Sequence, residues 1–130
     1  MDILTGKLNA LALDHDIAIH TKCQQEIYDI ISRSGLHGYF FTRIQTFFGQ
    51  WVACGDKVPS LKGFKRIRET SLYEMRFQHR DCNMRVLIGY AKNKKCAVLA
   101  FYEREDKKAS THAKFIPEAE KRLREMEEER

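Results

Sequence analysis

Apolar residues recur along this chain with two different periods, and the change from one to the other divides it near residue 58. Lys7 to Leu13, KLNALAL, is short and apolar-rich and predicts a first strand. Asp14-His15-Asp16 offers turn and capping chemistry, with Asp16 placed as an N-cap. Ile19, Cys23, Ile27, Ile30 and Ile31 then recur at helical spacing, and Ser34-Gly35 predicts the stop, since glycine accepts the left-handed conformation that ends many helices. A second helix follows at once. Leu36, Phe40, Phe41, Ile44, Phe47, Phe48, Trp51 and Val52 form one wide stripe that Gly55 closes. Such an aromatic stripe could serve as a platform for a ligand or a base, but it reads foremost as the face of a helix packed on a sheet, and two helices joined this closely make a hairpin.

Val58 to Gly63 is turn-rich, and beyond it the period becomes two. Leu72, Glu74, Arg76 and Gln78 alternate with Tyr73, Met75 and Phe77. MRVLIGY, residues 84–90, and CAVLAFY, residues 96–102, are the next two runs, with Asn93-Lys94 suited to a tight turn between them. Three strands with short connectors predict an antiparallel meander. Glu103 to Lys114 is polar and aperiodic. Pro117 opens a last helix with Ala119, Leu123 and Met126 as a thin seam, which predicts a mostly solvated element. The expected order is β-α-α-β-β-β-α: one α+β domain over residues 1–130, the meander packed against an N-terminal helical hairpin.

Composition narrows the classes. At 130 residues, 43% hydrophobic and 32% charged, the chain can bury a core of its own. No stretch approaches the apolar length needed to span a bilayer, and MDILTGKLNALALDHD has no secretory pattern, so no membrane partner and a cytoplasmic location are expected. Cys23, Cys54, Cys82 and Cys96 include no close pair, so neither a zinc site nor a dithiol redox site is supported, and all four read as buried, reduced thiols. No cofactor or metal motif stands out.

Charge adds a direction. The net charge is +5, and residues 56–95 hold eleven Lys or Arg against four Asp or Glu, whereas residues 118–130 hold four against six. Basic charge gathered in mid-chain is an electrostatic footprint of the kind nucleic acid recognises. Within it, Arg76 and Arg85 each sit inside a strand-like run. Arg76 shares a strand face with Glu74 and Gln78, and Arg85 shares one with Leu87 and Gly89. As a plain surface residue Arg76 would pair with a carboxylate such as Glu74 or Glu103. Arg85, ahead of a nearly unbroken apolar run, reads as an anchor for something.

The order of elements and the residues of the meander resemble the RelE/ParE superfamily of bacterial toxins, its HigB-like branch above all. LYEMRF, residues 72–77, is similar to that branch's L-x-E-L/M-R strand, and MRVL, residues 84–87, to its Y/F-R-V strand. VLAFY, residues 98–102, with the lysines after it resembles the end of the last strand, and residues 116–122 the closing helix. Met84 stands where the family usually has an aromatic, and residues 103–115 form a longer connection than usual. The resemblance implies the toxin of a type II toxin–antitoxin pair. Such a toxin cleaves mRNA on the ribosome without a metal, by attack of the ribose 2′-OH on the neighbouring phosphate, and a cognate antitoxin protein silences it.

That chemistry requires a splayed nucleotide, a neutralised pentacoordinate phosphate and two proton transfers. Arg76 and Arg85, on neighbouring strands and one face, would hold the phosphate through planar multidentate hydrogen bonds. His79 and His112 are candidate proton carriers, because imidazole titrates near neutrality. Lys107 and Lys108 would offset charge on the phosphate or the leaving oxygen. Lys62, Lys65, Arg66, Arg68 and Arg80 flank the site and would grip RNA backbone in a salt-sensitive way. Tyr90 and Tyr102 are candidates for base stacking or for capping the sheet. His15, His20 and His37 lie among the N-terminal elements, away from the basic strands. Two rivals stand beside the nuclease: a toxin of the ParE branch aimed at a protein target such as gyrase, and a non-catalytic RNA-binding regulatory module.

Overall fold

The computed structural model describes residues 3–55, 57, 61–79, 82–103 and 114–128. It is an α+β arrangement of four helices and a five-stranded mixed sheet. In chain order these are α1 (Ile3–Asp14), β1 (Ile17–Ile19), α2 (Thr21–Ser34), α3 (His37–Cys54), β2 (Phe64–Arg66), β3 (Tyr73–Phe77), β4 (Asn83–Ala91), β5 (Lys94–Glu103) and α4 (Ile116–Glu128). The sheet order is β1-β5-β4-β3-β2, with β1 parallel to β5 and every other pair antiparallel.

The meander forms as its alternation predicts, β3-β4-β5. The β4–β5 turn falls one residue earlier than expected. Lys92 and Asn93 both have positive φ, 53° and 69°, the left-handed pair that a two-residue hairpin turn requires. The hairpin of α2 and α3 also forms, with Gly35 left-handed at φ 70° and Gly55 closing α3.

The N-terminus differs from expectation. KLNALAL lies within α1 rather than in a strand: Leu8 and Ala12 are buried four residues apart, while Leu13 is 81% exposed. Leucine and alanine are strong helix formers, and the run has no β-branched residue to favour a strand. The first strand is instead Ile17–Ile19. Asp16 therefore does not cap a helix. It turns the chain at φ 55°, and its carboxylate accepts a 2.7 Å hydrogen bond from Lys94. The N-cap of α2 is His20, whose Nδ1 accepts the Lys22 N–H at 3.1 Å while Nε2 donates to Glu125 of α4 at 2.8 Å.

The sheet separates two apolar layers. Tyr73, Met75 and Phe77 of β3 and Met84, Val86 and Ile88 of β4 pack with α1, α2 and α3. Phe47 of α3 lies 5.2 Å from Phe64 and 4.9 Å from Phe77, and Trp51 donates its indole N–H to the Tyr90 hydroxyl at 2.9 Å. On the opposite face Leu72, Leu87, Leu99 and Phe101 pack with Ala119 and Leu123 of α4. Gly89 lets that helix approach: a Cβ there would lie 3.0 Å from Leu123 Cδ2.

The closing helix is less solvated than its seam predicts, because Arg122 is only 6% exposed. The β4–β5 register shifts between Leu87 and Ile88 and leaves Val98 with no partner on β4. Arg122 Nη1 donates to the Val98 carbonyl at 2.9 Å. The same guanidinium grips Glu26 of α2 through two 2.9 Å bonds and Glu118 through a third. Glu26 Oε1 also accepts the Ala100 N–H at 2.9 Å, serving the β5 edge beyond the end of β1. The bulge, both flanking helices and the sheet edge are thus joined through one arginine–glutamate pair.

Of the four cysteines, Cys23, Cys82 and Cys96 are buried as expected, and Cys54 is only half-buried. Among the described residues no helix is long and apolar enough to cross a membrane.

Candidate functional site

Arg76 and Arg85 face each other across the β3–β4 ladder. Phe77 and Met84, the next residues on each strand, point into the layer of α1–α3, so both arginines point to the α4 side of the sheet. Like charges directly opposite repel. Glu74, on the same face two residues before Arg76, offsets this: its Oε1 is 3.4 Å from Arg85 Nη1 and 3.5 Å from Arg76 Nε. Glu74 and Arg85 are 3% and 7% exposed, whereas the Arg76 side chain retains 36% exposure. Among the described residues one carboxylate thus meets two guanidiniums, with Arg76 on the solvent side.

Register extends this face in both directions. Lys65 of β2 is opposite Glu74, and its exposed side chain adds a third cation on that side. On the other flank Phe101 of β5 is opposite Arg85. The Phe115 ring stacks on Phe101 at 4.3 Å and 18°, and Lys114 Nζ lies 5.2 Å from the Phe115 centroid. From the β2 edge to α4 the surface therefore reads Lys65, Arg76 over Glu74 and Arg85, then an aromatic pair and Lys114.

The remaining candidates distribute differently. Arg66, opposite Tyr73, turns to the other face, its guanidinium 6.0 Å from that ring. Lys62 and Arg68 are exposed on the turns either side of β2. His79 does not join the arginines. Its ring packs edge-on against Tyr39 of α3 at 4.8 Å, on the side of the sheet where Phe77 lies, and its backbone N–H donates to Asn83 Oδ1 at 3.1 Å. Tyr90 is held by Trp51, while Tyr102 is 51% exposed. Arg80, Lys107, Lys108 and His112 lie outside the described residues. Among the described residues no three His, Cys, Asp or Glu side chains gather as metal ligands would.

Sequence reasoning weighted Arg85 above Arg76. In the structure Arg85 is buried against Glu74, and Arg76 is the more exposed of the two. The contributions of Phe101, Phe115 and Lys114 were missed. Alternation assigns a residue a parity along its own strand, but only the register, which no single strand shows, brings Phe101 beside Arg85.

No protein-family model, no curated protein and no solved structure matches this chain.

Proposed function

We propose that the chain is an RNA-cleaving toxin of the RelE/HigB type, acting in the cytoplasm on mRNA held by the ribosome and silenced by an antitoxin protein. The observation that carries this reading is the opposition of Arg76 and Arg85 on one sheet face, with Lys65 beside them. Among the described residues three cations surround Glu74, a set that suits a phosphodiester, and planar guanidiniums hold phosphate oxygens in pairs. The antiparallel meander, which the resemblance implies, supports the reading as well.

In the proposed reaction the ribose 2′-oxygen bonds to the adjacent phosphorus and the bond from phosphorus to the 5′-oxygen breaks. One proton leaves the 2′-hydroxyl and one is delivered to the 5′-oxygen. Arg76 neutralises the pentacoordinate phosphate, and Arg85, fixed by Glu74, supports it from below. Lys107, Lys108 and His112 are the groups proposed to stabilise the leaving oxygen and move the protons. Removing one preorganised charge of this kind costs on the order of 100- to 1,000-fold in rate.

The position of His79 favours a second reading, an RNA-binding module without cleavage, since that imidazole lies on the opposite side of the sheet from the arginines. Induced expression separates the two. Wild type should arrest growth and generate new mRNA 5′-ends, and Arg76→Ala should do neither. Equal growth of both, with intact transcripts, overturns the nuclease. Cleavage of naked RNA by purified protein would remove the ribosome from the account.

A further inference from the structure

We infer that the open pocket at the C-terminal end of α2 is a nucleobase site for the RNA strand whose phosphates the arginine face holds; this rests on the RNA reading above. The pocket has a volume of about 270 Å³ and is lined by Ile30, Arg33 and Ser34 of α2, by Cys82, and by Tyr102 of β5. Pockets for whole drug-sized ligands begin at roughly 300 Å³, so this one suits a single planar ring system.

Its chemistry is that of a base platform. Tyr102 leaves half of its surface in water at the pocket, while Tyr73 is buried and Tyr39 and Tyr90 are hydrogen-bonded to Gln78 and Trp51. Arg33 is exposed, and its side chain makes no ion pair or hydrogen bond among the described residues. The Ser34 hydroxyl is committed to the helix end, donating to the Ile31 carbonyl at 2.7 Å and accepting the Leu36 N–H at 3.0 Å. Among the described lining residues that leaves the Arg33 guanidinium and the Tyr102 phenol as the polar side chains free to meet a ligand. Ile30 supplies an apolar wall, and so does Cys82, whose thiol burial keeps protonated. A flat aromatic ring beside an unpaired guanidinium is what unstacked bases settle on, and both groups tolerate any base.

The pocket lies where a bound strand would reach it. Arg85 is opposite Phe101, and Tyr102 is opposite Met84 on the next rung, roughly 3.4 Å along the strand. Alternation puts Arg85 and Tyr102 on opposite faces at the same end of the sheet. A single strand rounding that end leaves a phosphate against Arg76 and Arg85 and passes a neighbouring base to Tyr102 and Arg33.

Fluorescence anisotropy with a labelled ten-nucleotide single-stranded RNA, and with the matching ribose-phosphate chain lacking bases, tests this. Wild type should prefer the base-bearing strand by about 5- to 100-fold. Tyr102→Ala should erode that preference and leave the abasic affinity unchanged, Arg33→Ala should weaken the base-bearing strand more than the abasic one, and Tyr102→Phe should retain most of the preference. Circular dichroism verifies that each variant is folded. If wild type binds both strands equally, or if Tyr102→Ala and Arg33→Ala keep the full preference, the base pocket is overturned and the phosphate site stands. If wild type binds neither strand, the RNA reading fails and takes this inference with it.

Discussion

Replacing Glu26 by alanine should destabilise the fold more than any change at an ordinary surface position. Arg122 would lose two of its four 2.9 Å hydrogen bonds while remaining 6% exposed, and the Ala100 N–H would lose its acceptor. Stranding one member of a buried pair costs about 3–5 kcal/mol. Orphaning a backbone N–H costs about 1–3 kcal/mol, though the two effects overlap because one carboxylate serves both. Glu118 still contacts Arg122, and the Glu26 side chain is itself 31% exposed, so the lower end applies, about 3 kcal/mol. Against a total stability of roughly 5–15 kcal/mol that is a large fraction. Urea unfolding followed by circular dichroism measures it, with an unchanged slope marking a true stability loss. The double variant Glu26→Ala/Arg122→Met should lose less than the sum of its single variants, because no charge is then stranded. Amide exchange at Ala100 should accelerate in Glu26→Ala. A loss below about 1 kcal/mol, or strict additivity in the double variant, refutes the role assigned to this pair.

Further outcomes follow from the groups that titrate. Burial opposes the charge on Arg122, but its hydrogen bonds to Glu26 and Glu118 outweigh that and raise its pKa. Hydrogen bonds from Arg122, His20 and Lys94 hold Glu118, Glu125 and Asp16 respectively below their ordinary values of 4.5, 4.5 and 3.8. A depressed carboxylate stabilises the fold above its ordinary pKa, and the contribution fades as pH falls through the lowered one. Thermal melts should therefore lose ground progressively below about pH 4.5, and Glu118→Gln with Glu125→Gln should flatten that dependence; an acid limb unchanged by both substitutions would contradict it. Burial raises the Cys23 and Cys82 thiols above their ordinary value of 9.0, and Cys96 is also buried. A thiol reagent near pH 8 should thus modify Cys54 quickly and the other three only after denaturation, as mass mapping would show.

The parts of the fold that were legible in the sequence are those with a strong period of their own. The α3 stripe and the three meander runs declare themselves within ten to twenty residues, because burial on one face imposes the spacing directly. KLNALAL is ambiguous by period alone, and only its leucine and alanine content and lack of β-branched residues favour the helix it forms. β2 was missed because FKR is three residues long and is a strand only through its pairing with β3. At the site, Arg76 and Arg85 were visible as charges out of place in strands, but their shared carboxylate and neighbouring rings depend on register. The Arg122–Glu26 pair left no local signal, its members being 96 positions apart. A charged residue at the seam of an amphipathic helix is the only hint such a pair offers.

The central claim is that Arg76 is retained to hold RNA phosphate rather than to hold the fold together. Removing Arg76 relieves its opposition to Arg85 and gives up a long, partly exposed 3.5 Å ion pair with Glu74, so Arg76→Gln should melt close to the wild-type temperature. The measurement is the affinity of that variant for single-stranded RNA across a salt series, set against wild type and against its own melting temperature. The account predicts weaker binding, with the slope of log affinity on log salt smaller by about 1, in a protein that melts close to wild type. Unchanged affinity and slope, or a binding loss seen only together with a lower melting temperature, would contradict it.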